Sequence, residues 1–309
     1  MRKLPNGLII VDKPRQMTSH DVVAVIRRCL PKKTKVGHTG TLDPDATGVL
    51  PICVGKATRL AEYFSPLTKT YLGEMVLGAE TSTQDSSGRV LRRASAAELA
   101  AVTPMAVRQA TEEFLGEIRQ IPPMVSAVKI NGKKLYQLAR EGQVVERQPR
   151  CVTIYELEIT EMDLPRVCLR VICSGGTYIR TLMHDIGQKL GVGAHLTALE
   201  RQAVGEFDLS QALSLEQVKT MLTARDYSCL LPLGAGLEYL PALSLTQDKQ
   251  LEAVCHGRPL TLMTAPAGTY RVLYDGALVA MGEIAPGSRH LKMKKVLFET
   301  EPQCYAEQE

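Results

Sequence analysis

Tryptophan is absent from this chain of 309 residues, and only 4 residues are phenylalanine. The hydrophobic fraction is still 45%, so we expect a core built mainly from aliphatic side chains. None of the 8 cysteines forms a Cys-x-x-Cys pair, which argues against a metal site and favours free thiols in a reducing cytosol. No apolar run approaches the roughly 20 residues of a membrane span, and the N-terminal one is too short for a signal peptide. We therefore expect a cytoplasmic protein without membrane contact.

Acidic residues are scarce in three short stretches, although the net charge of the whole chain is only +4. Residues 27–35 carry five basic residues and no acidic one, residues 129–150 carry six basic and two acidic, and residues 288–295 carry four basic. Separate basic clusters on a nearly neutral background are typical of a protein that binds an extended polyanion. The alternative interpretation is that each cluster is a solvated helix face or turn.

The length predicts two domains, a large one followed by a small one. Residues 1–238 mix strand and helix patterns and indicate an α/β (α+β) domain. Residues 239–309 contain short β-type runs separated by Gly and Asp turns, which predicts a small β-rich module. A segment at about residues 119–150, with Pro-Pro, an Asn-Gly turn and a basic helix, looks like an excursion from the larger domain.

Hydrophobic spacing and turn residues predict the main elements of the larger domain. The predicted strands are 7–14, 49–55, 69–80 and an antiparallel pair formed by 151–160 and 166–174. The predicted helices are 18–30, capped by Thr18 or Ser19, then 103–116, 175–191 and a capped helix over "SLEQVKTML".

The stretch "GHTGTLDPDATG" (37–48) is rich in reactive groups, and its only apolar residues are Leu42 and Ala46. It superficially fits aspartate motifs of phosphoryl-transfer enzymes, but "GHTGTL" is not the buried strand that those motifs follow. The threonines fit turns that bond to their own backbone. The remaining interpretation is a nucleophilic or basic carboxylate on a rigid loop. Pro44 fixes the direction of Asp43, and a buried carboxylate needs a cation such as Arg180.

Five stretches occur in the order found in the TruB family of tRNA pseudouridine synthases, over residues 4 to 210. They are "GLIIVDKPRQMTSHD", "VGHTGTLDPDATGVLPICVGKATRL", "KTYLGEMVLG", "QIPPMVSAVKINGKKLYQLAREG" and "CSGGTYIRTLMHDIG". The second motif is highly specific. The C-terminal module resembles a PUA RNA-binding domain more loosely. The resemblance implies a catalytic domain on a mixed, mostly antiparallel sheet.

The resemblance also implies roles for individual residues. Asp43 matches the catalytic aspartate, and Tyr71 matches the tyrosine that lies against the target base. Tyr178 and Arg180 match an active-site pair in which the arginine bridges to the aspartate. The residues expected to contact RNA are His38, Lys13, Lys69, Lys129, Lys133 and Lys134, where Lys13 also belongs to a motif that supports the site. The segment "IPPMVSAVKINGKKLYQLAREG" matches a mobile clamp on the T-arm of tRNA.

The sequence departs from the family pattern at Gln16, Asp45 and Ser82, although Asp85 of the same motif as Ser82 is kept. The implied function is isomerisation of the T-loop uridine 55 of tRNA to pseudouridine, in which the base leaves its stack. Asp43 acts as a nucleophile on sugar or base, or in proton removal. The reaction involves no redox change, so we expect no cofactor and no metal, and we expect a monomer. The alternative function is a non-catalytic tRNA-binding or folding helper.

Overall fold

The computed structural model describes residues 5–126, 128–130, 132–143, 145–262 and 264–298. The side chains of Lys129, Ile130, Lys134, Tyr136, Ala139 and Arg140 are outside that description.

Within the described residues, ten strands form one mixed sheet at the centre of the larger domain. The strands up to the middle of the chain are β1 (Gly7–Lys13), β2 (Val36–His38), β3 (Thr47–Val54), β4 (Lys69–Leu77), β5 (Ala79–Thr81), β6 (Val90–Arg93), β7 (Gly116–Gln120), β8 (Lys129–Ile130) and β9 (Lys133–Lys134). They are followed by β10 (Arg150–Asp163), β11 (Arg166–Cys173), β12 (Ala194–Val204), β13 (Phe207–Asp208) and β14 (Leu213–Ser214). The order across the sheet is β14-β1-β3-β12-β4-β11-β10-β7, with β2 paired to β3 and β13 paired to β12. Among the described strands of this sheet, only β1 with β14 and β3 with β12 pair in parallel. The predicted mixed, mostly antiparallel sheet is therefore confirmed.

The sequence explains where the helices of the chain begin. They are α1 (Ser19–Cys29), α2 (Ala61–Phe64), α3 (Ala96–Ala100), α4 (Pro104–Glu112), α5 (Leu135–Arg140), α6 (Ile179–Lys189), α7 (Leu215–Thr223) and α8 (Asp248–Cys255), with short 3-10 helices at Gly55–Leu60 and Leu209–Gln211. Thr18 and Ser214 form capping boxes with Asp21 and Gln217, which satisfies the first free N–H groups of α1 and α7. No helix in the described part of the chain is long and apolar enough to cross a membrane.

Two predicted helices are shorter than their sequence patterns suggested. The helix predicted over 103–116 ends at Glu112, because Gly116 has φ +87° and opens strand β7 instead. The helix predicted over 175–191 begins only at Ile179, since residues 175–178 form the turn after β11. The segment "AHLTALERQAV" forms a long strand, β12.

The chain leaves the central sheet after β7 and returns with β10. In between lie the hairpin of β8 and β9 and the helix α5. This excursion, residues 121–149, is called the clamp segment below.

A second sheet follows the larger domain. Within the described residues it has five strands in the order β15-β17-β18-β19-β16, formed by β15 (Ala242–Leu245), β16 (Leu260–Thr261), β17 (Gly268–Tyr274), β18 (Ala277–Ile284) and β19 (His290–Val296). Leu278, Met281 and Leu297 of this unit pack in one apolar cluster with Phe64 and Phe207 of the larger domain. The β-rich C-terminal unit therefore shares part of its core with the rest of the chain.

Candidate active site

The loop between β2 and β3 is fixed to the domain at the two apolar residues that the sequence offers. Leu42 and Ala46 are buried, and the Ser19 hydroxyl at the start of α1 accepts from the Leu42 N–H at 2.8 Å. The N–H of Ala46 closes a turn onto the carbonyl of Asp43 at 3.1 Å. These contacts hold the backbone on both sides of Asp43, so its carboxylate projects from a rigid loop.

Lys13 lies beneath this loop and is 0% exposed. Its Nζ donates to the carbonyls of Pro14 at 2.8 Å, Met17 at 2.6 Å and Pro44 at 3.0 Å. All three protons of the ammonium are used, and burial lowers the pKa of Lys13 to about 8. With all its protons used inside the protein, Lys13 has no free donor for the expected RNA contact, which stays a prediction. The side chain ties the segment after β1 to Pro44, which agrees with the supporting role that the resemblance implied.

Arg180 pairs with Asp43, as expected from the sequence. Its Nε lies 2.9 Å from Oδ2 of Asp43, and its Nη2 donates to Oδ1 at 3.2 Å. The arginine side chain is 3% exposed, whereas the Asp43 side chain is 39% exposed. The pair was expected to be largely hidden from water, and this holds for the guanidinium only. The carboxylate keeps an open side, which a group that must reach a substrate requires.

The same guanidinium holds a second carboxylate, Asp85, which the sequence marked only as a retained motif residue. Nη1 of Arg180 lies 3.2 Å from Oδ2 of Asp85, and it also donates to the carbonyl of Thr83, in the same loop, at 3.0 Å. Nη2 donates to the carbonyl of Val125 in the clamp segment at 3.0 Å. Arg180 therefore joins the Asp43 loop, the Asp85 loop and the clamp segment at one point.

The electrostatics of Asp43 reflect its position in this cleft. Burial raises the pKa of the Asp43 carboxyl above its ordinary value. Arg180 and Lys13 act in the opposite direction, and the neighbouring carboxylate of Asp85 adds to the rise. One arginine shared between two carboxylates neutralises each of them less completely than an arginine paired with a single carboxylate would.

A cleft of about 260 Å³ opens beside Asp43 and is lined by both tyrosines that the resemblance singled out, Tyr71 and Tyr178. Tyr71 projects from β4, is 8% exposed, and has its pKa raised by burial. Tyr178 immediately precedes α6, and Gln120 fixes its backbone by accepting from its N–H at 3.0 Å and donating to its carbonyl at 3.2 Å. Although the helix begins between Tyr178 and Arg180, both residues line the same cleft.

Two buried cations complete the cleft wall. Lys69 is nearly buried and donates to the carbonyls of Ser65 and Leu67, both at 2.6 Å, and burial lowers its pKa to about 8. Lys69 is too buried to contact a phosphate on the protein surface. The expected RNA contact through Lys69 therefore requires a group of the RNA that enters the cleft. Arg201 was not predicted from the sequence as a site residue. It is fully buried on β12 and donates to the carbonyls of Val49 at 2.7 Å and Gly40 at 3.2 Å, which fixes the loop on its buried side.

The other residues expected to contact RNA lie on strand β2 and on the β8–β9 hairpin. His38 ends β2, is partly buried, and directly precedes the Asp43 loop. Lys133 is exposed on the β8–β9 hairpin of the clamp segment, 3.8 Å from Glu141. Lys129 and Lys134 stand on the same hairpin, but their side chains lie outside the described residues.

The fold and the cleft together indicate an enzyme that carries out nucleophilic or acid–base chemistry. The structure is similar to the solved structure titled "Crystal Structure of a Cbf5-Nop10-Gar1 Complex", with a TM-score of 0.73 and 28% identity over 95% of this chain and 85% of that one. A carboxylate on a braced loop, paired with arginine at the mouth of an aromatic-lined cleft, is equipped for nucleophilic or acid–base chemistry on a bulky ligand.

Sequence comparisons give the particular family. A model described as "TruB family pseudouridylate synthase (N terminal domain)" matches residues 27–179, and one described as "tRNA pseudouridylate synthase B C-terminal domain" matches residues 180–238. A protein of Streptococcus thermophilus named "tRNA pseudouridine synthase B" is 46% identical over 89% of this chain and 94% of its own length. A protein of Geobacter sulfurreducens with the same name is 43% identical over 91% and 94%. The chain belongs to the TruB family of pseudouridylate synthases.

Proposed function

We propose that this protein isomerises uridine to pseudouridine in tRNA, and that its target is uridine 55 in the T-loop. The observation that carries the proposal is the partly exposed Asp43 carboxylate, held by Arg180 at 2.9 Å beside a cleft lined by Tyr71 and Tyr178. The relatives named "tRNA pseudouridine synthase B" support the choice of tRNA as the substrate.

The reaction is an isomerisation, so its atoms balance without a co-reactant. The bond from C1′ of the ribose to N1 of uracil breaks, the base turns, and a bond from C1′ to C5 forms. The proton on C5 is lost, and N1 gains one. Each of these steps takes place around one sugar and one base, which must first leave the RNA stack at a cost of a few kcal/mol.

The residues of the cleft divide this work. Asp43 supplies the carboxylate that attacks the sugar or base or assists proton removal. Tyr71 offers an aromatic face to the extruded base, which offsets part of the lost stacking. Arg180 positions Asp43, and Tyr178 closes the opposite wall. Lys13 and Arg201 act through the loop backbone and not on the substrate.

The clamp segment and the C-terminal unit supply the grip on tRNA in this proposal. The exposed Lys133 stands on the hairpin of the clamp segment, and Arg180 donates to the carbonyl of Val125 earlier in the same segment. The C-terminal unit, at about residues 239–309, acts as a PUA-like RNA-binding module. A tRNA substrate would place the protein in the cytoplasm.

An unmodified tRNA transcript tests this function. Incubation with the protein, carbodiimide labelling and reverse transcription should give one new stop at uridine 55, and a transcript with cytidine at that position should give none. A protein that binds the transcript but produces no stop would instead act as a tRNA-folding helper.

A further inference from the structure

The basic cluster at residues 27–35 folds into a cleft of its own, which the proposed chemistry does not use. Its volume is about 610 Å³, and five of its lining residues are basic: Arg27, Arg28, Lys32, Lys33 and Lys35. The other lining residues are uncharged. An anion in this cleft would therefore meet cationic groups without meeting a carboxylate.

Part of the cluster has a structural explanation, and part has none. Arg27 and Arg28 stand in the last turn of α1, where cations interact favourably with the partial negative charge of a helix C-terminus. Arg27 also donates to the carbonyl of Val36 at 3.2 Å. Lys32, Lys33 and Lys35 lie beyond the end of the helix, so the helix accounts for none of these three exposed ammonium groups.

The basic cleft contains no internal charge compensation. Among the residues that the structure describes, none of its five basic side chains takes part in an ion pair. Like charges gathered at one place repel each other, and they attract a polyanion from solution. Bound phosphates would relieve this repulsion.

The backbone that carries the lysines is fixed in place. The N–H of Thr34 closes a turn onto the carbonyl of Pro31 at 3.1 Å, and the N–H of Gly55 donates to the carbonyl of Lys35 at 2.7 Å. Thr34 itself is buried. The three ammonium groups therefore project from an ordered wall, which lowers the entropic cost of binding.

Strand β2 separates this cleft from the one at Asp43. Val36 and Gly37 line the basic cleft, whereas Thr39 and Gly40 line the cleft that holds Tyr71. Only His38 lies between the two sets along the chain, and an extended chain advances about 3.3 Å per residue. A nucleic acid that places one base beside Asp43 therefore has backbone phosphates within reach of the lysines.

We propose that the basic cleft binds backbone phosphates of tRNA, as an anchoring site beside the cleft that receives the target uridine. This inference rests on the proposed function. Lysine ammonium groups act as mobile point charges on phosphate oxygens and read no bases, so the site contributes affinity and not sequence selectivity.

The test compares a triple variant, Lys32→Ala, Lys33→Ala and Lys35→Ala, with the unaltered protein. Equilibrium binding of an unmodified full-length tRNA transcript is measured over a salt series. The Kd should rise roughly tenfold or more at low salt, because fewer counterions are released on binding. The slope of log K against log salt should fall by about 1 for each phosphate that the variant no longer neutralises. The single-turnover rate at saturating tRNA should not change.

A second triple variant controls for the loss of net charge. Arg166→Ala, Lys189→Ala and Lys219→Ala remove three exposed cations that line neither cleft. This control should keep the wild-type salt slope. An equal loss in both triple variants would overturn the proposal, because charge alone would then explain it. An unchanged Kd and slope in the first variant would overturn it as well.

An isolated T-arm stem-loop, measured in parallel, locates the phosphates. If the lysine variant loses affinity for both RNAs, the phosphates belong to the T-arm; if it loses affinity only for the full-length transcript, they belong to another arm. Pseudouridine formation by the unaltered protein is followed separately. A protein that binds tRNA and forms no pseudouridine would contradict the proposed function, while the binding comparison would still decide the role of the cleft.

Discussion

Arg180 stands between two carboxylates, with its Nε 2.9 Å from Asp43 and its Nη1 3.2 Å from Asp85. The arginine is almost fully buried, and the two carboxylates lie on different loops. This arrangement couples the charge of the Asp43 carboxylate to the charge of Asp85 on another segment of the chain. It also makes the contributions of the three residues separable by experiment.

Asp43→Asn should abolish pseudouridine formation and leave tRNA binding largely intact. The substitution removes the negative charge and the nucleophilic oxygen but changes the shape of the side chain very little. Asp45→Asn is the matched control on the same loop, since Asp45 is exposed and its backbone carbonyl, not its side chain, accepts a hydrogen bond from Arg15. Carbodiimide stops should vanish in the first variant and persist in the second. Near wild-type turnover by Asp43→Asn would refute the assignment.

The rate should depend on pH through Asp43, and Asp85→Asn should shift that dependence. The reaction needs the ionised carboxylate, and burial raises the pKa of Asp43. The single-turnover rate should therefore fall on acidification at a pH above the ordinary aspartate value of about 3.9. Asp85 adds to the rise, so removing its charge should move this acid limb to lower pH. A limb that stays in place or moves to higher pH would show that Asp85 does not raise the pKa of Asp43.

Arg180→Met should reduce both stability and activity, whereas Tyr178→Phe should keep the fold and chiefly alter catalysis. Loss of the guanidinium leaves Asp43 and Asp85 without the cation that contacts both of them. Breaking a buried pair costs about 3–5 kcal/mol, and the low end applies here because both carboxylates retain some access to water. Thermal unfolding beside single-turnover rates measures the two effects. An Arg180→Met protein that melts like wild type would mean that the pair contributes nothing to the fold.

Much of this site was accessible from the sequence, because its parts depend on local patterns. The rigid Asp43 loop and the capped helix α1 each follow from a few neighbouring residues, whereas the pairing of Arg180 with Asp43 was implied by the family resemblance. Arg201 and the burial of Lys13 were not accessible, since both depend on strands β1, β3 and β12 coming together across the sheet. The shared core of the C-terminal unit was missed for the same reason. Removal of residues 240–309 would take Leu278, Met281 and Leu297 out of that core, so it is a poor test of RNA binding alone.

Lys133→Ala should weaken tRNA binding and lower the salt slope by about 1 if the clamp segment contacts a phosphate there. Lys219→Ala is the matched control, because both lysines are more than half exposed and each lies within 4 Å of a glutamate. Exposed ion pairs of this kind contribute little to stability, so neither variant should melt differently. The same slope in both variants would mean that Lys133 is only solvated.

Lys13→Met separates a supporting lysine from one that binds RNA. The buried ammonium group joins Pro14, Met17 and Pro44 through three hydrogen bonds, and Pro44 follows Asp43 directly. Methionine has a similar volume but no donor, so three carbonyls lose their partner, at a cost of about 1–3 kcal/mol for each one that water cannot reach. The melting temperature and the single-turnover rate should both fall, while the salt slope of tRNA binding stays at the wild-type value. A lysine that contacts phosphate would show the reverse pattern. A reduced slope with an unchanged melting temperature would therefore mean that Lys13 contacts RNA.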